Sequence, residues 1–196
     1  MNILILDNYD SFTYNLVQYV EELQGLSIDV KRNDAITVFE VSAYDCIIIS
    51  PGPGIPSESG ITLELIKEYF DSKPILGVCL GLQAIVEAFG GDIYNMDEVY
   101  HGISTDVEII DNEDLLFQNI NSPFKAGRYH SWAAVKENFP AELNITAVDS
   151  EGSVMALKHK SAELYGVQFH PESIMTPEGK KMLRNFLAVT EKSIQG

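Results

Sequence analysis

The first half of the chain alternates short aliphatic, β-branched runs with segments of helical periodicity, and few folds satisfy that alternation. Asn2–Leu6, Ile28–Lys31, Cys46–Ile49 and Ile75–Val78 read as strands. Phe12–Leu23, Thr62–Phe70 and Leu80–Phe89 read as helices, the last with Leu82, Ile85, Val86 and Phe89 at helical spacing and Gly90-Gly91 as its stop. Strand, helix and strand in succession build βαβ units, whose strands lie parallel in one sheet with helices on its faces. From about residue 92 the pattern changes to short strand-like pieces: Thr105–Ile110, Lys125–Tyr129, Ile145–Val148, Val154–Leu157 and Tyr165–Phe169. These read as additions to the same sheet, partly antiparallel. A final helix is expected to begin near Thr176-Pro177-Glu178, with threonine as cap and proline at the first helical position, and to bury Met182, Leu183, Phe186 and Leu187. The expected fold class is therefore α/β, an open, mainly parallel twisted sheet flanked by helices, with additional antiparallel strands in the C-terminal half. A chain of 196 residues suits one sizeable core, so residues 1–196 are expected to form a single domain.

Charge narrows the function. Thirteen basic against 29 acidic residues give a net charge of −16, which repels phosphate backbones and anionic membrane surfaces, so no nucleic acid and no membrane is expected as a partner. The apolar run Ile3–Leu6 ends at Asp7 with no basic lead, too short for a signal peptide, and no segment approaches the ~20 apolar residues of a membrane span. Cytoplasmic residence is expected. Two cysteines make no disulfide framework; Cys46, inside Asp45-Cys46-Ile47-Ile48-Ile49, reads as a buried strand residue.

Cys79 has a different setting. It is the centre of Gly77-Val78-Cys79-Leu80-Gly81, between an apparent strand and an apparent helix, which has the form of a nucleophile elbow. Positions two before and two after the nucleophile crowd each other at such a turn, and glycine at both relieves the clash. The sulfur would be displayed at the first turn of a helix, where unpaired N–H groups and the helix dipole favour a thiolate. The plain alternative is a buried strand cysteine with loop glycines.

A cysteine nucleophile for acyl transfer needs a base, an orienter for the base and donors for an oxyanion. Of four histidines, His170 is best placed, because Tyr165–Phe169 alternates like a strand and Pro171 ends it and holds His170 extended. In extended chain Glu172 projects to the same side as His170, where a carboxylate would fix the imidazole tautomer; a core histidine beside a solvated glutamate is the other reading. Ser50-Pro51-Gly52-Pro53-Gly54 follows a strand, so it belongs at the carboxyl end of the sheet, either as an oxyanion donor with the Leu80 N–H or as a rigid turn. Gln83, one turn beyond Cys79, either reaches the same pocket or is an exposed helix glutamine. His159 reads as a solvated strand end, His101 as a turn residue before Gly102, and His130 as a residue that follows a strand and faces the site. No Cys/His spacing suits zinc, and neither a metal nor a cofactor is expected. Asp7-Asn8-Tyr9-Asp10-Ser11 lacks the glycines of a phosphate loop and reads as helix capping by Asp10, Ser11 or Thr13.

Taken together these residues resemble the class I (triad) glutamine amidotransferases, and within them the small glutaminase subunits of anthranilate synthase and aminodeoxychorismate synthase. The likeness runs over nearly the whole chain, through Asp7-Asn8-Tyr9-Asp10-Ser11-Phe12-Thr13-Tyr14-Asn15, Ser50–Gly54, Gly77–Gly81, Arg128-Tyr129-His130-Ser131 and Gly166-Val167-Gln168-Phe169-His170-Pro171-Glu172-Ser173. It implies Cys79 as nucleophile, His170 as acid/base and Glu172 as its orienter. It further implies that Gly52, Pro53, Gly54, Gln83, Ser131 and Trp132 hold L-glutamine, with the Gly54 and Leu80 N–H groups serving the oxyanion. Two positions depart from that branch: Leu82, where it often has histidine, which alters packing, and Ile103, where it commonly has lysine, which bears on partner contact.

The resemblance implies glutamine hydrolysis through a Cys79 glutamyl thioester. The ammonia would pass to a chorismate-utilising synthase subunit, for anthranilate first and aminodeoxychorismate as the alternative. Nothing in the chain resembles a chorismate or magnesium site. Two further readings stand beside it: a stand-alone γ-glutamyl cysteine hydrolase, and a non-catalytic binding or regulatory subunit whose triad is never completed.

Overall fold

The computed structural model describes residues 1–22 and 27–195. The strands are β1 (Asn2–Asp7), β2 (Ser27–Arg32), β3 (Cys46–Ile49), β4 (Ile75–Val78), β5 (Ile93–Asn95), β6 (Ile103–Ile109), β7 (Phe124–Arg128), β8 (Trp132–Ala134), β9 (Leu143–Asp149), β10 (Val154–His159) and β11 (Leu164–Val167). The helices are α1 (Thr13–Glu21), α2 (Thr62–Tyr69), α3 (Leu80–Ala88) and α4 (Gly179–Gln195). Nine strands form one sheet in the order β2-β1-β3-β4-β11-β10-β9-β6-β7, while β5 and β8 pair as a separate antiparallel ribbon. From β2 to β11 neighbouring strands are parallel, and from β11 to β7 they are antiparallel.

The parallel half is built from sequence that is apolar on both faces. Every residue of β3, β4 and β11 is buried, as expected of strands covered by helices on both sides. Along β1 the side chains alternate: Ile3 and Ile5 enter a core with Leu16, Val17 and Val20 of α1 and Met182, Leu183 and Phe186 of α4. Leu4 and Leu6 enter a second core with Leu65 and Ile66 of α2 and Leu82, Ile85 and Val86 of α3. Each fully buried Leu, Ile or Phe contributes about 1.5–3 kcal/mol. Leu82 is wholly buried in the second core, so its departure from the family pattern is a matter of packing, whereas Ile103 opens β6 and is half exposed.

Several expected boundaries move. The helix expected over Phe12–Leu23 is seen as Thr13–Glu21, and Leu23 lies outside the described residues. The capping expected of Asp10, Ser11 or Thr13 is not made: Phe12 stands at the cap position with no side-chain cap bond. Asp10 instead accepts from the Phe12 N–H at 2.7 Å in a turn before the helix, and Thr13 is already inside it. The strand expected to run to Phe169 ends at Val167, so His170 stands three residues beyond it. The last helix starts at Gly179 rather than at Pro177, and the Thr176 hydroxyl, expected as its cap, is engaged by Gly127 and His170 instead. The ribbon of β5 and β8 was not anticipated; three residues per strand carry too little periodicity to read.

Candidate active site

Cys79 joins β4 to α3 with φ 54° and ψ −100°, a conformation that L-residues rarely adopt. Strain of this kind costs about 1–3 kcal/mol and persists only where surrounding bonds enforce it. Here they do: the Cys79 N–H donates to the Val167 carbonyl at 2.7 Å, and its own carbonyl accepts from the Gln83 N–H at 3.2 Å. A Cβ on Gly77 would lie 2.5 Å from the Gly81 carbonyl carbon and 2.6 Å from its oxygen, so the crowding inferred across the elbow is present. Leu80 is the first residue of α3, so its N–H is one of those without an intrahelical acceptor. Cys46, by contrast, is an inert core thiol that burial pushes up to about 12.

His170 Nδ1 lies 2.7 Å from Glu172 Oε1, both side chains almost wholly buried. The pair meets, but not through extended chain: the Ser173 N–H donates to the His170 carbonyl at 3.2 Å, so a turn brings Glu172 back under the ring. That turn is fastened to the edge strand β7. The His170 N–H donates to the Gly127 carbonyl, the Gly127 N–H donates to the Thr176 hydroxyl, and that hydroxyl donates to the His170 carbonyl. Glycine at 127 permits this approach, since a Cβ there would stand 2.9 Å from that of Met175. Phe12 and Tyr129 hold the imidazole edge to face, at centroid distances of 5.4 and 4.9 Å.

Burial alone would lower the His170 imidazole, but the Cys79 sulfur and then Glu172 outweigh it and hold it up at about 10. His170 Nε2 makes no conventional hydrogen bond, so the sulfur acts on it across a longer gap. Both residues line one cavity of about 380 Å³ with Asp10, Ser11, Phe12, Pro51, Gly52, Pro53, His101 and Tyr129. The thiol and the ring therefore share a chamber, at the carboxyl ends of β1, β3 and β4, where ligands of such sheets bind. Thiol, cationic imidazole and buried carboxylate in series can generate a nucleophilic sulfur and protonate a departing group.

A second cavity of about 160 Å³ also reaches Cys79, lined by Gly52, Pro53, Gly54, Cys79, Gln83, Tyr129, His130, Ser131 and Trp132. Gly52, Pro53, Gly54, Gln83, Ser131 and Trp132, all expected at the substrate, line it together; Leu80, expected through its backbone N–H rather than its side chain, follows Cys79 directly. Gln83 is buried rather than an exposed helix glutamine, and its Nε2 donates to the Trp132 carbonyl at 2.9 Å and to Gln168 Oε1 at 3.3 Å.

Other residues depart from expectation or escaped it. His159 ends β10 as expected but is only partly in solvent: its ring packs against Phe70 and Phe89 and accepts from the N–H groups of Ser161 and Ala162. His101 precedes Gly102, whose φ is 69°, and its ring meets Tyr129. His130 does face the site, and burial, followed by the Arg128 guanidinium, pushes it down to about 4, so its ring is neutral at pH 7. Arg128 itself is buried, paired with Asp149 at 2.7 Å and lying 3.6 Å over the Tyr100 ring. The bonds made by Gln168, Thr176 and the Arg128–Asp149 pair gave no signal in the sequence, because their partners come from distant segments. Among the described residues no group of three or more His, Cys, Asp or Glu is arranged to hold a metal, and no helix is long and apolar enough to cross a membrane.

Residues 4–189 match the family described as glutamine amidotransferase class-I. The aminodeoxychorismate/anthranilate synthase component 2 of Bacillus subtilis is 47% identical over 98% of this chain and 98% of its own length. The chloroplastic anthranilate synthase beta subunit 1 of Arabidopsis thaliana is 48% identical over 97% of this chain and 71% of its own. A solved glutamine amidotransferase of Thermotoga maritima superposes with a TM-score of 0.82 over 97% of each chain at 14% identity, a likeness of fold.

Proposed function

Because this chain belongs to the class-I glutamine amidotransferases, we propose that it is the glutaminase component of a chorismate-utilising synthase, with Cys79 as nucleophile, His170 as acid and base, and Glu172 as orienter. The observation on which this rests is the strained Cys79 turn, which shares one cavity with the ring of the His170–Glu172 pair and also lines a pocket of about 160 Å³. Glutamine enters that pocket between Gly52–Gly54 and Ser131–Trp132, with Gln83 at its wall. The thiolate attacks the side-chain amide carbon, the N–H groups of Leu80 and Gly54 hold the oxyanion, and the His170 imidazolium gives its proton to the departing nitrogen. Ammonia leaves and a glutamyl thioester remains. Acylation removes the negative sulfur that held His170 cationic, so the ring, now neutral, takes a proton from water, which hydrolyses the thioester to glutamate.

The ammonia passes to a synthase subunit that binds chorismate. A net charge of −16 is indifferent to zwitterionic glutamine and repels an anionic acceptor, which favours placing the acceptor on another chain. Anthranilate is the main product read from the relatives' names; aminodeoxychorismate is the second, because the Bacillus relative carries both in its name. The protein acts in the cytoplasm on this reading. The deciding experiment incubates the chain, with and without its synthase partner, with a glutamine-derived electrophile. Partner-enhanced modification of Cys79 is expected. Full activity without any partner indicates a stand-alone γ-glutamyl hydrolase, and no modification with the partner present indicates a non-catalytic subunit.

A further inference from the structure

One chain of hydrogen bonds, buried at both ends and part-buried at Trp132, runs from the antiparallel half of the sheet to Cys79. Arg128 Nη1 donates to Asp149 Oδ2 at 2.7 Å, and Arg128 Nε donates to His130 Nε2 at 3.1 Å. His130 Nδ1 lies 2.9 Å from the Trp132 carbonyl, which also accepts from Gln83 Nε2 at 2.9 Å. Gln83 Nε2 reaches Gln168 Oε1 at 3.3 Å, and Gln168 Nε2 reaches Cys79 Sγ at 3.5 Å.

The direction of every link follows from chemistry. Arginine only donates, so His130 must accept at Nε2 and carry its proton on Nδ1. A backbone carbonyl only accepts, so the amide of Gln83 must turn its nitrogen toward Trp132. That same nitrogen then faces Gln168, whose amide is obliged to present oxygen to Gln83 and nitrogen to the sulfur. Gln168 is fully buried, so no water competes to turn it.

We infer that Gln168 is a further catalytic residue, an amide donor locked onto Cys79 Sγ that favours its negative state, and that Gln83 sets its orientation while also forming the pocket wall. The inference rests on the glutaminase reading above, in which Cys79 is the nucleophile. A donor on a charged acceptor stabilises it more than on a neutral one, so the bond is stronger to thiolate than to thiol or thioester. It therefore assists ionisation and weakens once the acyl group is attached, when the sulfur must become a leaving group again only at the end of the cycle.

The test is the pH–rate profile of Cys79 alkylation by iodoacetamide, a probe too small to need the glutamine pocket, measured on the full chain. In Gln168→Met, which keeps length but cannot donate, the rate at pH 7 is expected to fall roughly tenfold and the profile to move to higher pH by about one unit. Glutaminase kcat falls with it, while KM for glutamine changes less than about twofold, a split that loss of packing would not produce. An alkylation profile superimposable on wild type overturns the inference. Gln83→Met leaves every atom in contact with the sulfur in place but frees the Gln168 amide to turn; it is expected to move the profile the same way, and it serves as the readout should Gln168→Met fail to fold. Failure of the glutaminase reading looks different: wild type itself would then resist a glutamine-derived electrophile while still reacting with iodoacetamide.

Discussion

Replacing Glu172 by Gln tests the coupling at the centre of the site. The carboxylate lies 2.7 Å from His170 Nδ1 with both side chains nearly excluded from water. With charge centres roughly 4 Å apart and an effective dielectric of about 20, the attraction is ~4 kcal/mol, equivalent to about three pH units on the imidazole. His170 at about 10 would fall toward ~7 in Glu172→Gln. At pH 6 the variant ring is still largely cationic, so the loss in kcat/KM should be only about tenfold, from weakened orientation. At pH 8.5 roughly 3% of the ring remains protonated, adding about thirtyfold, so the total loss approaches several hundredfold. The assay is glutamine hydrolysis in the presence of the synthase partner from pH 6 to pH 9. Wild type should hold its activity through that range and the variant should lose it near neutrality. Parallel profiles, whatever their vertical offset, would refute the claim that Glu172 maintains the charge on His170. Stability should follow the same sign: a raised imidazole stabilises the fold fully below its ordinary value of about 6.5, and that contribution is lost as pH climbs toward 10. Thermal melts of wild type should therefore decline over that window more steeply than those of Glu172→Gln.

Cys79→Ala is expected to abolish glutamine-driven product formation by the complex and to leave turnover on added ammonium salts intact, measured as chorismate-dependent product; loss of both would make the sulfur structural. Gly77→Ala drives a methyl into the Gly81 backbone, which cannot yield as a side chain would, and should cost about 3 kcal/mol by denaturant midpoint along with most glutaminase activity. Asp149→Asn leaves the buried Arg128 guanidinium unpaired and should cost about 3–5 kcal/mol in the same measurement, with Cys79 still in place.

The parallel half of the fold was legible because its physics is local: β3 and β4 are unbroken aliphatic runs, and α3 shows its period over nine residues. The elbow was legible for the same reason, its glycines lying within five residues of one another. The meeting of His170 and Glu172 was legible from residue type and neighbourhood, but a turn closed by Ser173 rather than an alternating strand unites them. Thr176 has the sequence profile of a helix cap, yet its hydroxyl ties His170 to Gly127, forty-nine residues away from that glycine along the chain. Gln168 is an ordinary residue until Gln83 and Cys79, each more than eighty positions distant, are folded against it. What escaped notice is thus the set of bonds made across the sheet, for which no local pattern exists.

The order of strands has a temporal consequence. β11 occupies the middle of the sheet, wedged between β4 and β10, although it comes after every other strand of the described residues in chain order. Until it docks, Cys79 lacks the Val167 carbonyl that pins its backbone, and the imidazole has no strand to hang from. Pairings of such long range form slowly and late. A nascent chain halted near residue 160 would expose two raw strand edges, on β4 and β10, and would leave the Cys79 turn without the bond that fixes its backbone.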